Sequence, residues 1–347
     1  MREPAFCAVK CRQPRTGAES ETGGAGGIGM EPITVSICIP TCNRPRLLRE
    51  ALLSCAVQTR KPDCIVVGDD SATDDTEKVV SEFAATVDIP VDYRHNRPPL
   101  LQSGNTNSVF DRTASTHLML LHDDDLLLPS AVEELLGCWE RYPGLTAAYG
   151  KQIVISHDGV PDLKASERLN RSYCRSSEWA GLQKESWQAG VRQQFPNNGY
   201  LLRTAIAQAT RWRPESEVGN AGDFEFGLRL ALTQDGFFFL DKFTTKVRLT
   251  CSGSISSSRY DDAALYSYSL LEQCALPDGA GEVLRSQRLM EIAPRAMMEA
   301  IRHGQLQRAF QLYLSPHHGW RIRLSPGGVR RSLLLALCGL KLLNRRS

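Results

Sequence analysis

His117-Leu118-Met119-Leu120-Leu121-His122-Asp123-Asp124-Asp125-Leu126-Leu127-Leu128-Pro129 runs an apolar segment straight into three consecutive carboxylates. Such a run is the pattern of a buried parallel strand, and the acids then stand at its carboxyl end. Three acids this close repel one another by on the order of several kcal/mol in a low-dielectric cleft, so they stay ionised there only beside a cation. A divalent metal carrying a polyphosphate meets that need. The alternative is a solvated acidic turn opening the next helix, with Asp125 near its N-cap.

Upstream, Ile33-Thr34-Val35-Ser36-Ile37-Cys38-Ile39-Pro40 is β-branched and apolar, a central strand stopped by proline. Leu47, Leu48, Ala51, Leu52 and Cys55 then recur at helical spacing over 46–58. Cys64-Ile65-Val66-Val67-Gly68 repeats the strand pattern and ends in Asp69-Asp70-Ser71, before a second helix over about 74–85 whose first acids suit its N-terminal dipole. Strand, helix, strand, helix implies right-handed parallel crossovers with helices on both faces. Polar clusters at Pro40 to Arg44, Asp69 to Ser71 and Asp123 to Asp125 thus converge on the sheet edge where open α/β sheets bind ligands. The chain contains no GxGxxG turn after the first strand and no GxxxxGK[ST], which argues against a dinucleotide site and a P-loop.

The totals narrow the class further. The 347 residues carry 41 basic and 39 acidic side chains, a formal charge of +2, so no nucleic-acid partner is expected. Eleven scattered cysteines without CxxC spacing predict a reducing compartment, no disulfide framework and no structural zinc. No apolar run reaches the roughly 18 residues of a membrane span. Residues 1–29 are rich in Gly, Ser, Thr and Glu and lack apolar periodicity, which predicts a disordered leader, with the natural start expected at Met30.

The ordered series Ile37 to Arg44, Val66 to Ser71 with Asp74-Asp75-Thr76, Asn105, and Leu121 to Asp125 resembles family 2 glycosyltransferases over residues 33 to about 255. The resemblance implies the GT-A fold: α/β, a Rossmann-like mixed, mostly parallel sheet with helices on both faces, here followed by a C-terminal helical tail. It implies a nucleotide-sugar donor held by Pro40, Thr41, Asn43, Arg44, Asp69, Asp70, Asn105, Asp123 and Asp124. It also implies Mn²⁺ or Mg²⁺ at Asp123 and Asp125, in keeping with the preference of hard cations for carboxylate oxygen. Cys42 stands where the family commonly has an aromatic that stacks on the base, and His122 where an apolar residue usually precedes the acids. His122 is read as a rim histidine hydrogen-bonded to a loop.

Farther on, Ala131, Val132, Leu135, Leu136 and Trp139 describe a helix, and Leu145 to Ile155 a strand. The polar segment 157–194 reads as acceptor-side loops and short helices, with Trp179 and Trp187 either stacking on sugar or packing in the core. Phe195 to Arg203 resembles the strand before the family's catalytic helix. On that helix Asp223 and Glu225 point about 200° apart, so only one faces the cleft. Glu225 has Arg229 four residues on, the spacing of a surface ion pair, whereas Asp223 has Gly227 there. Asp223 matches the Asp of the family's Glu-Asp motif, which implies the general base of an inverting transfer; Gly222 replaces the Glu.

Phe237 to Leu240 and Lys246 to Thr250 read as two strands, and Ser252 to Ser256 resembles a loop that closes over the donor. Thr250 takes the place of a family His. Helices are expected over 261–273 and 282–302. The tail from His317 holds seven Lys or Arg, no Asp or Glu, and the run Leu333 to Leu340. It either lies on an anionic membrane surface or packs back on the domain with its basic ends solvated.

The expected organisation is a leader (1–29), a nucleotide-sugar-binding half (30–130), an acceptor and catalytic half (131–258) and a helical C-terminal region (259–347). The expected activity is inverting transfer of a sugar from a nucleoside diphosphate to a saccharide or lipid-linked acceptor in surface polysaccharide or glycolipid assembly. The expected setting is cytoplasmic, and peripheral on the inner face of the cell membrane if the tail lies on lipid. A non-catalytic nucleotide-sugar-binding or assembly protein competes with this reading, and a nucleotidyltransferase less so, because no basic glycine-rich loop is present.

Overall fold

The computed structural model describes residues 32–249, 261–277 and 279–343, the side chains of 338–343 excepted. The leader 1–29, Met30, Thr250, the Ser252 to Ser256 loop, Asp278 and the end of the tail at Arg345 and Arg346 lie outside the described residues. The chain forms two compact units. One contains the described residues up to Ile153 together with Asn198–Arg211 and Phe238–Val247; the other contains Val154–Asn197, Trp212–Phe237 and the described residues from Arg248 onward.

The strands are β1 (Val35–Thr41), β2 (Cys64–Asp69), β3 (Val91–His95), β4 (His117–Leu120), β5 (Leu126–Leu127), β6 (Ala147–Ile155), β7 (Gly181–Leu182), β8 (Tyr200–Arg203) and β9 (Phe237–Arg248). The main path of the sheet runs β3-β2-β1-β4-β8-β6-β9-β5. Strands β3, β2, β1 and β4 are parallel, β8 is antiparallel to both β4 and β6, and β5 is antiparallel to β9. This is the mixed, mostly parallel α/β sheet expected.

Alternation along β1 builds two layers. Val35, Ile37 and Ile39 pack with Leu48, Ala51, Leu52 and Cys55 of the helix Pro45–Ala56 in a fully buried core. On the other face, Cys38 Sγ meets Thr113 Oγ1 at 3.1 Å, just past the helix Leu101–Arg112. Gly68 of β2 faces that same helix, and a Cβ there would stand 2.1 Å from Asn105 Oδ1. The side-chain-free position therefore lets Asn105 reach the sheet.

The second unit has its own core, in which Phe224 and Leu228 pack with Leu265, Tyr268, Leu289, Met297 and Leu335. Gly190 allows the helices Ser186–Val191 and Gly222–Thr233 to touch: its Cβ would lie 2.7 Å from that of Ala231. Trp187 packs against this core, and Trp179 carries the Arg192 guanidinium 4.3 Å over its ring.

Two expectations need correction. The two strands read at Phe237 to Leu240 and from Lys246 onward are joined in one continuous strand, Phe237–Arg248, because the polar pair Asp241-Lys242 is an outward segment and not a turn: Lys151 binds Asp241 and Lys242 binds Glu134, each at 2.7 Å. Cys64 is disulfide-bonded, against the expectation of no disulfides, whereas Cys38, Cys42, Cys55, Cys138, Cys174 and Cys274 are free. Spacing along the chain reveals CxxC pairs and says nothing of cysteines joined by folding.

Candidate active site

Three loops at the carboxyl ends of β1, β2 and β4 meet, as parallel neighbours must. Thr41 pairs with Asp69 in the β1–β2 register, and Leu120 pairs with Cys38 between β4 and β1. After β1, Asn43 takes the left-handed conformation at φ 55°, which Asn tolerates better than most residues. Its amide donates to Ser71 Oγ at 2.7 Å and its Oδ1 accepts from Ala72 N at 2.9 Å, locking the first loop to the second.

That lock presents Arg44 to the acids. Its Nη1 lies 3.0 Å from Asp123 Oδ1 and 3.1 Å from Asp124 Oδ2. Burial opposes its charge, but Asp123 and Asp124 outweigh that and hold its pKa above the ordinary value. Asp123 is buried, and its second oxygen accepts from Thr41 Oγ1 at 2.7 Å. Burial pushes its pKa up, and Asp124 adds to this, so Arg44 and Thr41 offset only part of the cost. The two shifts differ in what they answer to: Arg44 gains from two acids, while Asp123 has one cation against burial and a like charge.

Asp123, expected among the metal ligands, thus has both oxygens engaged by protein. A tight turn closed by Asp125 N to His122 O at 3.2 Å brings His122, Asp124 and Asp125 together, each offering one ligand atom within 4.8 Å of the others. Oxygen-rich donors of this kind suit a divalent cation. Asn198 joins them from the start of β8: its Nδ2 lies 2.6 Å from Asp125 Oδ2 and 3.4 Å from His122 Nδ1. The next residue, Gly199, has φ +73° and donates to Leu120 O at 2.7 Å; a Cβ there would stand 2.0 Å from Thr245 Oγ1. Glycine is what allows Asn198 to reach β4.

The expected base-and-ribose residues are present at the same edge, but mostly as scaffold. Asp69 accepts from Ser71 N and from Tyr93 Oη, each at 2.8 Å. Asp70 accepts from Asn96 Nδ2 at 2.8 Å and Leu100 N at 3.1 Å. Asn105 donates to Thr41 O and Gly68 O while accepting from Asn96. Pro40 pairs with Gly68 in the sheet, and Cys42 is exposed. Asn96, Tyr93, Leu100 and Asn198 escaped sequence reading, because lone polar residues far apart in the chain carry no spacing signal. A depression of about 440 Å³ lined by Thr116, His117, Arg203 and Gln208 sits at the amino end of β4, the opposite edge, and is not part of this cluster.

In the second unit, Asp223 and Glu225 open the helix Gly222–Thr233. Asp223 is half-buried, and its Oδ1 accepts from Phe224 N at 2.7 Å. Glu225, read as a surface partner, is buried instead: Arg229 binds it through Nε at 2.7 Å and Nη2 at 2.8 Å, and Arg213 Nε lies 3.2 Å away. The i,i+4 spacing is the same on either face of a helix, so the pair was legible but its burial was not.

A half-sheet of four parallel strands, extended by antiparallel strands and carrying a basic and acidic cluster at its carboxyl edge, defines a GT-A-type α/β fold. The structure resembles Staphylococcus aureus TarS in complex with UDP-GlcNAc (TM-score 0.56, 16% identity, 86% of this chain and 79% of that one). It also resembles the mannosyltransferase PcManGT of Pyrobaculum calidifontis in complex with GDP-Man and Mn²⁺ (TM-score 0.52, 15% identity, 90% and 88%). Residues 36–195 match the model of Glycosyl transferase family 2.

Among curated proteins, the GalNAc(5)-diNAcBac-PP-undecaprenol beta-1,3-glucosyltransferase of Campylobacter jejuni is 32% identical over 102 residues, 29% of this chain and 33% of the relative. An uncharacterised protein of Mycobacterium tuberculosis is 30% identical over 142 residues, 41% of this chain and 42% of the relative. The chain therefore matches less than half the length of either.

Proposed function

We infer that this protein is a glycosyltransferase that moves a sugar from a nucleoside diphosphate to an acceptor hydroxyl with inversion at the anomeric carbon. The observation that carries the reading is the family match over 36–195 coinciding with the acids after β4, gathered against Arg44 and the loops after β1 and β2. Thr41, Asn43, Arg44, Asp70 and Asp123 shape the nucleotide side, with Asp69, Asn96 and Asn105 holding the loops in place. Asp124 and Asp125 would hold Mn²⁺ or Mg²⁺; such a cation, when bound, neutralises charge on a departing diphosphate. Arg44 supplies a fixed positive charge at the same edge, and a preorganised charge of this kind costs no reorganisation during reaction. Asp223 takes the acceptor hydroxyl's proton as general base.

The acceptor is a saccharide or a lipid-linked glycan, as the name of the Campylobacter relative suggests for that protein. A membrane setting draws support from the tail. Leu335 packs into the core of the second unit, while Leu314, Trp320, Leu324, Leu333 and Leu337 are each more than half exposed among Arg321, Arg323, Arg330 and Arg331. A packed helix with outward leucines and basic residues suits an anionic lipid surface at the inner face of the cell membrane. No helix of the described residues is long and apolar enough to cross a membrane.

Incubation with UDP- and GDP-sugars and Mn²⁺ tests the reading. Release of nucleoside diphosphate is expected. Donor binding without release would mark a non-catalytic binding protein, and pyrophosphate release from a nucleoside triphosphate would mark a nucleotidyltransferase.

A further inference from the structure

We propose that His122 is a nitrogen ligand of the cation held by Asp124 and Asp125, with Asn198 Oδ1 as a further oxygen ligand, so that the site favours borderline ions such as Co²⁺ or Zn²⁺ over Mg²⁺. This rests on the metal reading above and specifies the donor set of that site.

Two independent observations support it. His122 Nδ1 lies 3.9 Å from Asp125 Oδ2, and His122, Asp124 and Asp125 present their ligand atoms within 4.8 Å of one another. Adjacent ligands of an octahedral ion with bonds of about 2.1 Å stand about 3 Å apart and opposite ones about 4.2 Å, so these separations match a shared shell after small adjustments. The second observation is Asn198, fully buried, whose Oδ1 meets no hydrogen-bond donor among the described residues. Leaving a buried amide oxygen unsatisfied costs about 1–3 kcal/mol. Turning the amide over places Oδ1 where Nδ2 stands, 2.6 Å from Asp125 Oδ2 and 3.4 Å from His122 Nδ1. Those are the spacings of neighbouring ligands, and a cation between them would satisfy the oxygen.

Imidazole raises affinity most for ions late in the Irving–Williams order and least for Mg²⁺, which prefers oxygen. Asp123 is held by Thr41 and Arg44, and the imidazole stands beside Asp124 and Asp125 as a further donor.

The test loads the full chain with Mn²⁺ alone, with UDP and with GDP, follows bound metal by equilibrium dialysis, and records electron spin-echo modulation. Nitrogen modulation from a directly bound imidazole is expected in the wild type and absent in His122→Gln. In the same comparison, Co²⁺ affinity should fall about tenfold or more, and that of Mg²⁺ by less than about threefold. Bound Mn²⁺ without nitrogen modulation, or modulation that persists in His122→Gln, overturns the inference and leaves the metal reading standing. No bound metal in any of the three conditions overturns both. Retained tenfold selectivity in His122→Gln with loss in Asn198→Ala would assign the preference to the amide and refute the role of the imidazole.

Discussion

Glu225→Gln separates structure from chemistry on the helix that opens with Gly222. The carboxylate is buried and accepts bonds of 2.7 and 2.8 Å from Arg229, with Arg213 at 3.2 Å. Charge-assisted bonds contribute about 1.5–3 kcal/mol each, which sets an upper bound of about 3–6 kcal/mol for the pair. The side chains of Arg229 and Arg213 are 23% and 49% exposed, so water takes up part of the released charge, and Gln keeps one acceptor. A loss of about 2–3 kcal/mol is therefore expected, or about 4–12 °C in melting temperature for a unit of this size. Turnover in the donor-release assay should stay within about threefold, because the carboxylate is committed to Arg229. Asp223→Asn should do the reverse, lowering turnover about a hundredfold with melting nearly unchanged. A Glu225→Gln protein that melts like the wild type refutes the buried-pair argument. If it also loses turnover while Asp223→Asn stays active, the base is Glu225.

Three further outcomes follow from the geometry. Asp125→Asn removes a buried anionic oxygen from the cluster with His122 and Asp124, so metal binding and turnover should fall by orders of magnitude while the fold persists; normal turnover in EDTA would refute this. His117 is buried beside Trp139, and burial, with Arg203 adding to it, depresses its pKa from 6.5 to about 4. The unfolded chain therefore takes up the proton first: the contribution is fully present above about pH 6.5 and lost as pH falls towards 4, so wild type should lose about 3 kcal/mol more than His117→Gln over that window in chemical denaturation. In the tail, Leu324→Glu with Leu333→Glu spares the packed Leu335 and should release the protein from anionic vesicles, and salt should weaken wild-type binding; a wild-type protein that floats free at low salt ends the membrane proposal.

Sequence alone determined the strands that end in Pro40, Asp69 and the acids after Leu121, because an apolar run interrupted by polar residues is a local signal. The same locality placed Asp223 and Glu225 on one helix and made the family resemblance readable. Only the tertiary structure decided which partners each carboxylate meets. Asp69, Asp70 and Asp123 are bonded by Tyr93, Asn96, Arg44 and Thr41, while Asp125 is bonded by Asn198 in a cluster that also holds His122 and Asp124. Identical side chains in adjacent positions carry no label for these roles. The difference comes from partners about 70 to 80 residues away in the chain for Asp123 and Asp125, and about 25 away for Asp69 and Asp70. It also depends on Gly68 and Gly199, where the missing Cβ lets Asn105 and Asn198 close in on the strand ends.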